Sequence, residues 1–156
     1  MPDATQTNPA PLSVVLLCAP ASVGGLEKVV QALARELADR GNRVTVVAVV
    51  ARAASADPLF APLSGTGVRC MAREFGSRDY RKERRSIQAL LRELDADVLH
   101  THGYRSDLLH GGPTRRAGIA TVSTVHGSSR MGGLSHLFEW LQLRALRAAD
   151  AVIPVS

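Results

Sequence analysis

Aromatic residues are scarce. Phe, Trp and Tyr make up 4% of the 156 residues, which leaves little for the stacking platforms that bind single-stranded nucleic acid. Cysteine is nearly absent too, with only Cys18 and Cys70. They form no CxxC pair and no metal-like group, so they read as buried thiols in a reducing compartment. No apolar run approaches the ~20 residues of a transmembrane helix. Met1–Pro11 is polar and proline-rich, without a basic n-region, so it reads as a disordered tail and not a signal peptide. A cytoplasmic chain is expected. Several catalytic signatures are also missing. There is no G-x-S-x-G elbow and no Walker A loop. Ser22 and Lys28 stand where G-x-G-x-x-G around Gly24-Gly25 would need glycine, and Val49-Val50-Ala51-Arg52 offers no acidic residue to a ribose. A dinucleotide-binding domain is therefore poorly supported.

What remains is ordinary globular composition, 46% hydrophobic and 21% charged. The length fits one domain, residues 12–156 after the tail. The net charge of +5 and pI near 10.0 permit an anionic partner. Many of the cations are arginines on expected helices, where a solvated face is the usual reason.

The chain is organised around Leu12–Arg40. Leu12–Ala19 is a short apolar run and reads as a buried strand. A turn through Gly24 and Gly25 follows. Leu26, Val29, Val30, Leu33, Ala34, Leu37 and Ala38 then mark one face of a helix that Gly41 ends. Asn42–Val50 is a second strand, again too apolar to be half exposed, so both strands belong to a parallel sheet covered on two faces. Ala51–Gly67 reads as a loop and Val68–Ala72 as a third strand. Asp79–Leu94 is a helix with an apolar stripe of Tyr80, Ile87, Leu90, Leu91 and Leu94. Asp97–His102 is a fourth strand. A helix from Gly103 to His110 is interrupted at Gly111-Gly-Pro113. Ile119–His126 is a fifth strand, Gly127–Gly133 a loop, and Leu134–Ala149 a helix with Leu134, Leu137, Phe138, Trp140, Leu141 and Leu146 inward. Asp150–Ser156 is a sixth strand. Alternating strands and helices predict a doubly wound, Rossmann-like α/β parallel sheet. A helix is expected to cover the last strand, which suggests a fragment of a longer protein.

In such a sheet ligands bind beyond the carboxyl ends of the strands, where strand order reverses. With the order 3-2-1-4-5, that edge gathers Gly24 and Gly25, His102 and Gly103, and His126 and Gly127. The glycine turn exposes helix amides able to bind a phosphate or carboxylate, or it is simply a tight left-handed turn. His126, at a strand end before glycine, can hydrogen-bond a ligand or carry a proton. His100 lies deeper on the same strand face as His102 and reads as a core histidine. His110 and His136 read as surface residues. A zinc site of His100, His102 and His126 lacks an evident acidic or cysteine ligand, Asp107 apart. Arg81, Arg84 and Arg85, with Arg78 and Lys82, put positive charge at a helix start against the dipole. They form either a solvated face or a contact for an acidic membrane surface.

Four stretches carry a resemblance. They are Pro20-Ala-Ser-Val-Gly-Gly-Leu-Glu27, Asp97-Val-Leu-His-Thr-His-Gly103, Ser123-Thr-Val-His-Gly127 and Ala149-Asp-Ala-Val-Ile-Pro-Val-Ser156. In this order they resemble the amino-terminal domain of retaining glycosyltransferases of family 4, with the two-domain GT-B fold. The resemblance implies an acceptor-side domain whose carboxyl-terminal donor domain lies outside this chain. It implies a UDP- or GDP-sugar donor used as substrate, no catalytic metal or other cofactor, and a saccharide, lipid or small-molecule acceptor, as in the building of cell-envelope polysaccharides. It also implies that Gly24 and Gly25 approach donor phosphates or the acceptor, and that His126 contacts the donor sugar. The alternatives are a nucleotide-sugar epimerase of the same fold, and a non-catalytic module that docks on a membrane or partner. No nucleic-acid partner is expected.

Overall fold

The computed structural model describes residues 10–20, 24–126 and 135–155. The tail expected over Met1–Pro11 lies outside them as far as residue 9, and so does the loop expected over 127–133, Gly127 included.

Six parallel strands form one sheet in the order β3-β2-β1-β4-β5-β6. They are β1 Ser13–Cys18, β2 Arg43–Val50, β3 Arg69–Glu74, β4 Val98–His102, β5 Ala120–Val125 and β6 Ala151–Pro154. Every residue of β1 is buried, and so is every residue of β2 after Arg43. That fits their predominantly apolar sequences, which give neither face of the sheet to water. One face packs Val14, Leu16, Val46 and Ala48 against Val30 and Ala34 of helix α1, Gly25–Asp39. The other packs Val15, Leu17, Val47 and Leu99 against Ile87, Leu90 and Leu91.

Aspartates pin the amino ends of the strands. Asp97, one residue before β4, accepts the Ser13 amide of β1 at 2.7 Å through Oδ2. Asp150, one residue before β6, accepts the Thr121 amide of β5 at 2.8 Å. The Asp97 bond holds the register in which Cys18 lies beside His102, and His102 in turn lies beside Thr124 of β5.

Three segments differ from the sequence reading. Ala51–Gly67 is not a plain loop. It contains a 3₁₀ turn at Ala53–Ala56, helix α2 at Asp57–Phe60 and a second 3₁₀ turn at Ala61–Leu63. Ala56, Leu59 and Leu63 join the core beside α1. Helix α3, Tyr80–Glu93, buries Glu83 along with Ile87, Leu90 and Leu91. Gly111-Gly-Pro113 does not end the helix after β4. Tyr104–Ser106 (α4) runs through a π turn at Asp107–Gly111 into Gly112–Arg116 (α5). Pro113 has no N–H for the Leu109 carbonyl and its ring crowds that group. The wide turn absorbs the conflict, and the freed Leu109 oxygen accepts Arg84 Nε at 3.1 Å.

Helix α6, Ser135–Leu146, exposes Trp140 at 56%. Its indole was expected inward and instead lies under Arg144, 5.7 Å from Cζ to the ring centroid. The side chains of residues 134–139 lie outside the described set. No described helix is long and apolar enough to cross a membrane.

Leu59 tests the anchoring of the 53–63 turns. It is 1% exposed, so Leu59→Ala should cost about 2–5 kcal/mol, as for other buried leucines. Urea denaturation measures this; a loss under half a kcal/mol would mean that these turns float free of the core.

Candidate functional site: a histidine crevice at the carboxyl edge

The carboxyl ends of β1, β4 and β5 converge as the strand order requires. His102 ends β4, with Nδ1 3.4 Å from Nε2 of His126 just past β5. The His100 and His102 rings stack at 4.4 Å between centroids and 24° between planes. His100 Nε2 lies 2.7 Å from the Thr124 hydroxyl, which makes it the core histidine its position suggested.

His102 is 1% exposed, so it cannot meet a ligand directly; any influence on one passes through His126, which is half-buried. Burial is the main cause of low basicity here. It holds the pKa of His100 down to about 4 and that of His102 to about 3, with neighbouring imidazoles adding to the effect. His126 is also lowered by burial, against the opposing pull of the Glu27 carboxylate.

The tautomers follow from hydrogen bonding. His102 is neutral near pH 7, and its Nε2 is buried without a hydrogen-bond partner among the described residues. Placing the proton there would bury an unpaired N–H. The proton therefore belongs on Nδ1, facing His126 Nε2. That nitrogen then accepts, which leaves neutral His126 with its proton on Nδ1, available as a donor.

The glycine turn is not left-handed. Gly24 is extended, at φ −140° and ψ −159°. Its amide donates to Glu27 Oε2 at 2.8 Å, so it is not available to a ligand. Glu27, the last residue of the first motif, is 4% exposed and braces the start of α1. Gly25 keeps its place at the open edge: a Cβ there would meet nothing within 4 Å. The amides of the first helical turn lack intrahelical acceptors and point outward. Gly103 has φ +87°, and a Cβ on it would stand 3.2 Å from Leu26 Cδ1. Its part is to let β4 turn into α4 close beside α1.

A second cluster was missed. Glu83, 1% exposed, accepts Arg105 Nε at 3.2 Å on Oε2 and His110 Nε2 at 3.0 Å on Oε1. Burial works to raise the Glu83 pKa, but the bonds from His110 and Arg105 outweigh it and hold the carboxyl low. His110, expected on the surface, is wholly buried. The signal for Glu83 was its place four residues before Ile87, on the apolar stripe. Asp107 is spent on structure, since its Oδ1 accepts the Thr101 and Ser123 hydroxyls at 2.6 Å each. Arg81 and Arg85 are exposed on α3, away from this chemistry, while Arg84 is engaged with Leu109. No group of three or more His, Cys, Asp or Glu among the described residues could hold a metal ion.

Two outcomes are expected. In ¹⁵N-detected imidazole spectra near pH 7.5, His126 should show the Nδ1–H form; a dominant Nε2–H form would refute the relay from His102. The second is a pH dependence. His100 and His102 have folded pKa values below the unfolded 6.5, so the unfolded chain binds more protons as pH falls below that value. Their stabilising contribution is complete above 6.5 and shrinks as pH drops towards 4 and then 3. His102→Phe should flatten the slope of stability against pH between 6.5 and 4. An unchanged slope would mean that His102 titrates normally in the fold.

A sequence model described as Glycosyltransferase Family 4 matches residues 23–156. No curated protein sequence matches significantly. Among solved structures, a Rickettsia africae glycosyltransferase superposes with a TM-score of 0.64 at 18% identity, over 93% of this chain and 37% of its own. Anabaena Alr3699/HepE, solved with UDP, gives 0.65 at 13% identity, over 90% and 37%. Acinetobacter baumannii MurG gives 0.64 at 16% identity, over 93% and 41%. Identities this low show a shared fold. The chain spans about two-fifths of the length of these structures. The family match covers nearly all of the chain and takes in all four motifs except Pro20–Ser22, so this α/β sheet belongs to Glycosyltransferase Family 4 as its amino-terminal domain.

Proposed function

We propose that the chain forms the acceptor-side half of a retaining glycosyltransferase, which moves a sugar from a UDP- or GDP-sugar to a saccharide, lipid or small-molecule acceptor. The observation that carries this is the meeting of His126 and the first turn of α1 at one edge of the sheet, where the strand order reverses. Breaking the bond between sugar and nucleoside diphosphate builds negative charge on the departing diphosphate. Catalysis requires donors that meet this charge as it develops. The outward amides beside Gly25 and the Nδ1–H of His126 are donors of that kind. They carry no full positive charge, so the product diphosphate is not held as a salt. The second domain would supply the rest of the donor site. The Anabaena neighbour was solved in complex with UDP, which supports a nucleotide-sugar donor.

Full-length protein, assayed for nucleotide release with UDP-glucose, UDP-N-acetylglucosamine and GDP-mannose, tests the reading. His126→Ala should lower turnover tenfold or more with the fold intact, as for loss of one donor to a developing oxyanion. Gly25→Val should fold, since a Cβ there meets nothing within 4 Å, and should raise the KM for the donor. Wild-type kinetics in both variants would remove this edge from the active site.

A further inference from the structure

The Arg105–Glu83–His110 cluster has no part in the chemistry above, yet it is the most heavily braced charge group on this edge of the sheet. Among the described residues, Arg105 is the one charged side chain lining a cavity of about 310 Å³ at the carboxyl ends of β1, β2 and β3. Pro20, Val50 and Phe75 give the cavity apolar walls, and Ser55 and Ser77 bring hydroxyls. A larger cavity, about 420 Å³ beside Asp57, Phe60 and Cys70, lies towards the opposite end of β3.

Arg105 is held from two sides. Its Nε and Nη2 donate to Glu83 Oε2, and its Cζ lies 5.2 Å from the Tyr80 ring centroid. Nη1 makes no hydrogen bond within the described residues. The side chain is 30% exposed against 1% for Glu83. The carboxylate is thus sealed behind the guanidinium, and its other oxygen is occupied by His110. Seen from the cavity, the lining offers a fixed cation edge, two hydroxyls and no carboxylate. An arginine already locked in one rotamer loses little entropy when a ligand arrives.

We propose that this cavity is a subsite for an oxyanion, carboxylate or phosphate, carried by a sugar-sized acceptor, with Arg105 as its anchor. This rests on the acceptor-side reading and adds the charge of the acceptor to it. The volume is near the lower end of ligand pockets, roughly 300–1,000 Å³, so it suits one ring-sized unit and not an extended chain. Nη1 with the hydroxyls of Ser55 and Ser77 would meet the oxyanion, while the apolar walls would cover a ring face.

The test is a ¹⁵N NMR titration of the chain with glucuronate, glucose 1-phosphate and glucose. At least one acidic probe should move the Arg105 Nε signal and the amides of Ser55 and Ser77, and glucose should not. Response to glucuronate alone assigns a carboxylate, and to glucose 1-phosphate alone a phosphate. Arg105→Gln should weaken binding tenfold or more. The double variant E83Q/R105Q, which replaces the ion pair by two amides, guards against a fold left with an unpaired buried charge and should show the same loss. Equal shifts with glucose, shifts confined to Gly25 and His126, or unchanged affinity in the double variant would overturn the subsite. The readout is binding and not transfer. Full-length protein that transfers sugar without an acid bound here would sink the subsite alone; acid bound here in a protein that transfers nothing would sink the transferase reading alone.

Discussion

Everything in this molecule depends on β1 being buried on both faces. A strand with no exposed residue must have neighbours on each side and helices above and below. Here the neighbours are β2, which follows β1 through α1, and β4, which the chain reaches from β3 through α3. Because β2 and β4 leave in opposite directions across the sheet, the segments after β1 and β4 diverge, and a crevice opens between them. The register fixed by the Asp97 bond to Ser13 then decides which side chains reach its rim. His102 stands level with Cys18, the last residue of β1, and His126 follows beyond the end of β5. A slip of one residue would turn His102 to the opposite face of the sheet and His100 and Thr124 with it.

Two buried carboxylates organise the edge from behind. Glu27 ties down the amide of Gly24 and sits where the α1 dipole favours negative charge. Glu83 ties down Arg105 and His110. Neither would be tolerable without donors at these distances, because an unpaired buried charge costs several kcal/mol. Both carboxylates sit behind the surface, and what they hold forward is nitrogen: helix amides at one point, a guanidinium at the other. Burial of the Cys18 thiol, with the Glu27 charge adding to it, raises its pKa to about 12. Cys18 is therefore an inert thiol under the crevice and no nucleophile.

The sheet was legible in the sequence because β1 and β2 are short, mostly apolar runs and the other strands are short segments set between helices and turn residues. The turns over 53–63 were not, since segments of three or four residues cannot display a helical period, and Pro58, Pro62 and Gly65 read as loop. His110 was hidden by Gly111-Gly-Pro113, which signals a helix end; the π turn and the Arg84 bond to Leu109 that rescue it are tertiary events. Glu83 lay in plain view within Arg81-Lys82-Glu83-Arg84-Arg85, where a run of charges suggests solvent, although its spacing from Ile87 put it on the buried stripe. Trp140 shows the converse error, an indole placed with the inward positions of its helix when cation contact with Arg144 satisfies it at the surface. The crevice was legible as a meeting of residues, but which atoms face outward depends on neighbours. Gly24 loses its amide to Glu27, and His102 disappears behind His126.

The net charge of +5 gives a misleading picture of the crevice. His100 and His102 titrate far below neutrality, so neither carries charge at pH 7, and Glu27 beneath them is an acid. Within the described residues, no arginine or lysine side chain is hydrogen-bonded to His102, to His126 or to the first turn of α1. Attraction for an anion there must come from dipoles: the helix amides and one imidazole N–H. Dipoles fixed in direction act strongly at short range in a partly dry site and fade quickly beyond it. They can stabilise charge that appears on one oxygen during bond cleavage without binding the same group tightly before or after. The full positive charge stands across β1 instead, in Arg105. Such a division suits a cleft with two kinds of task, one group to be released after reaction and another to be held in place throughout.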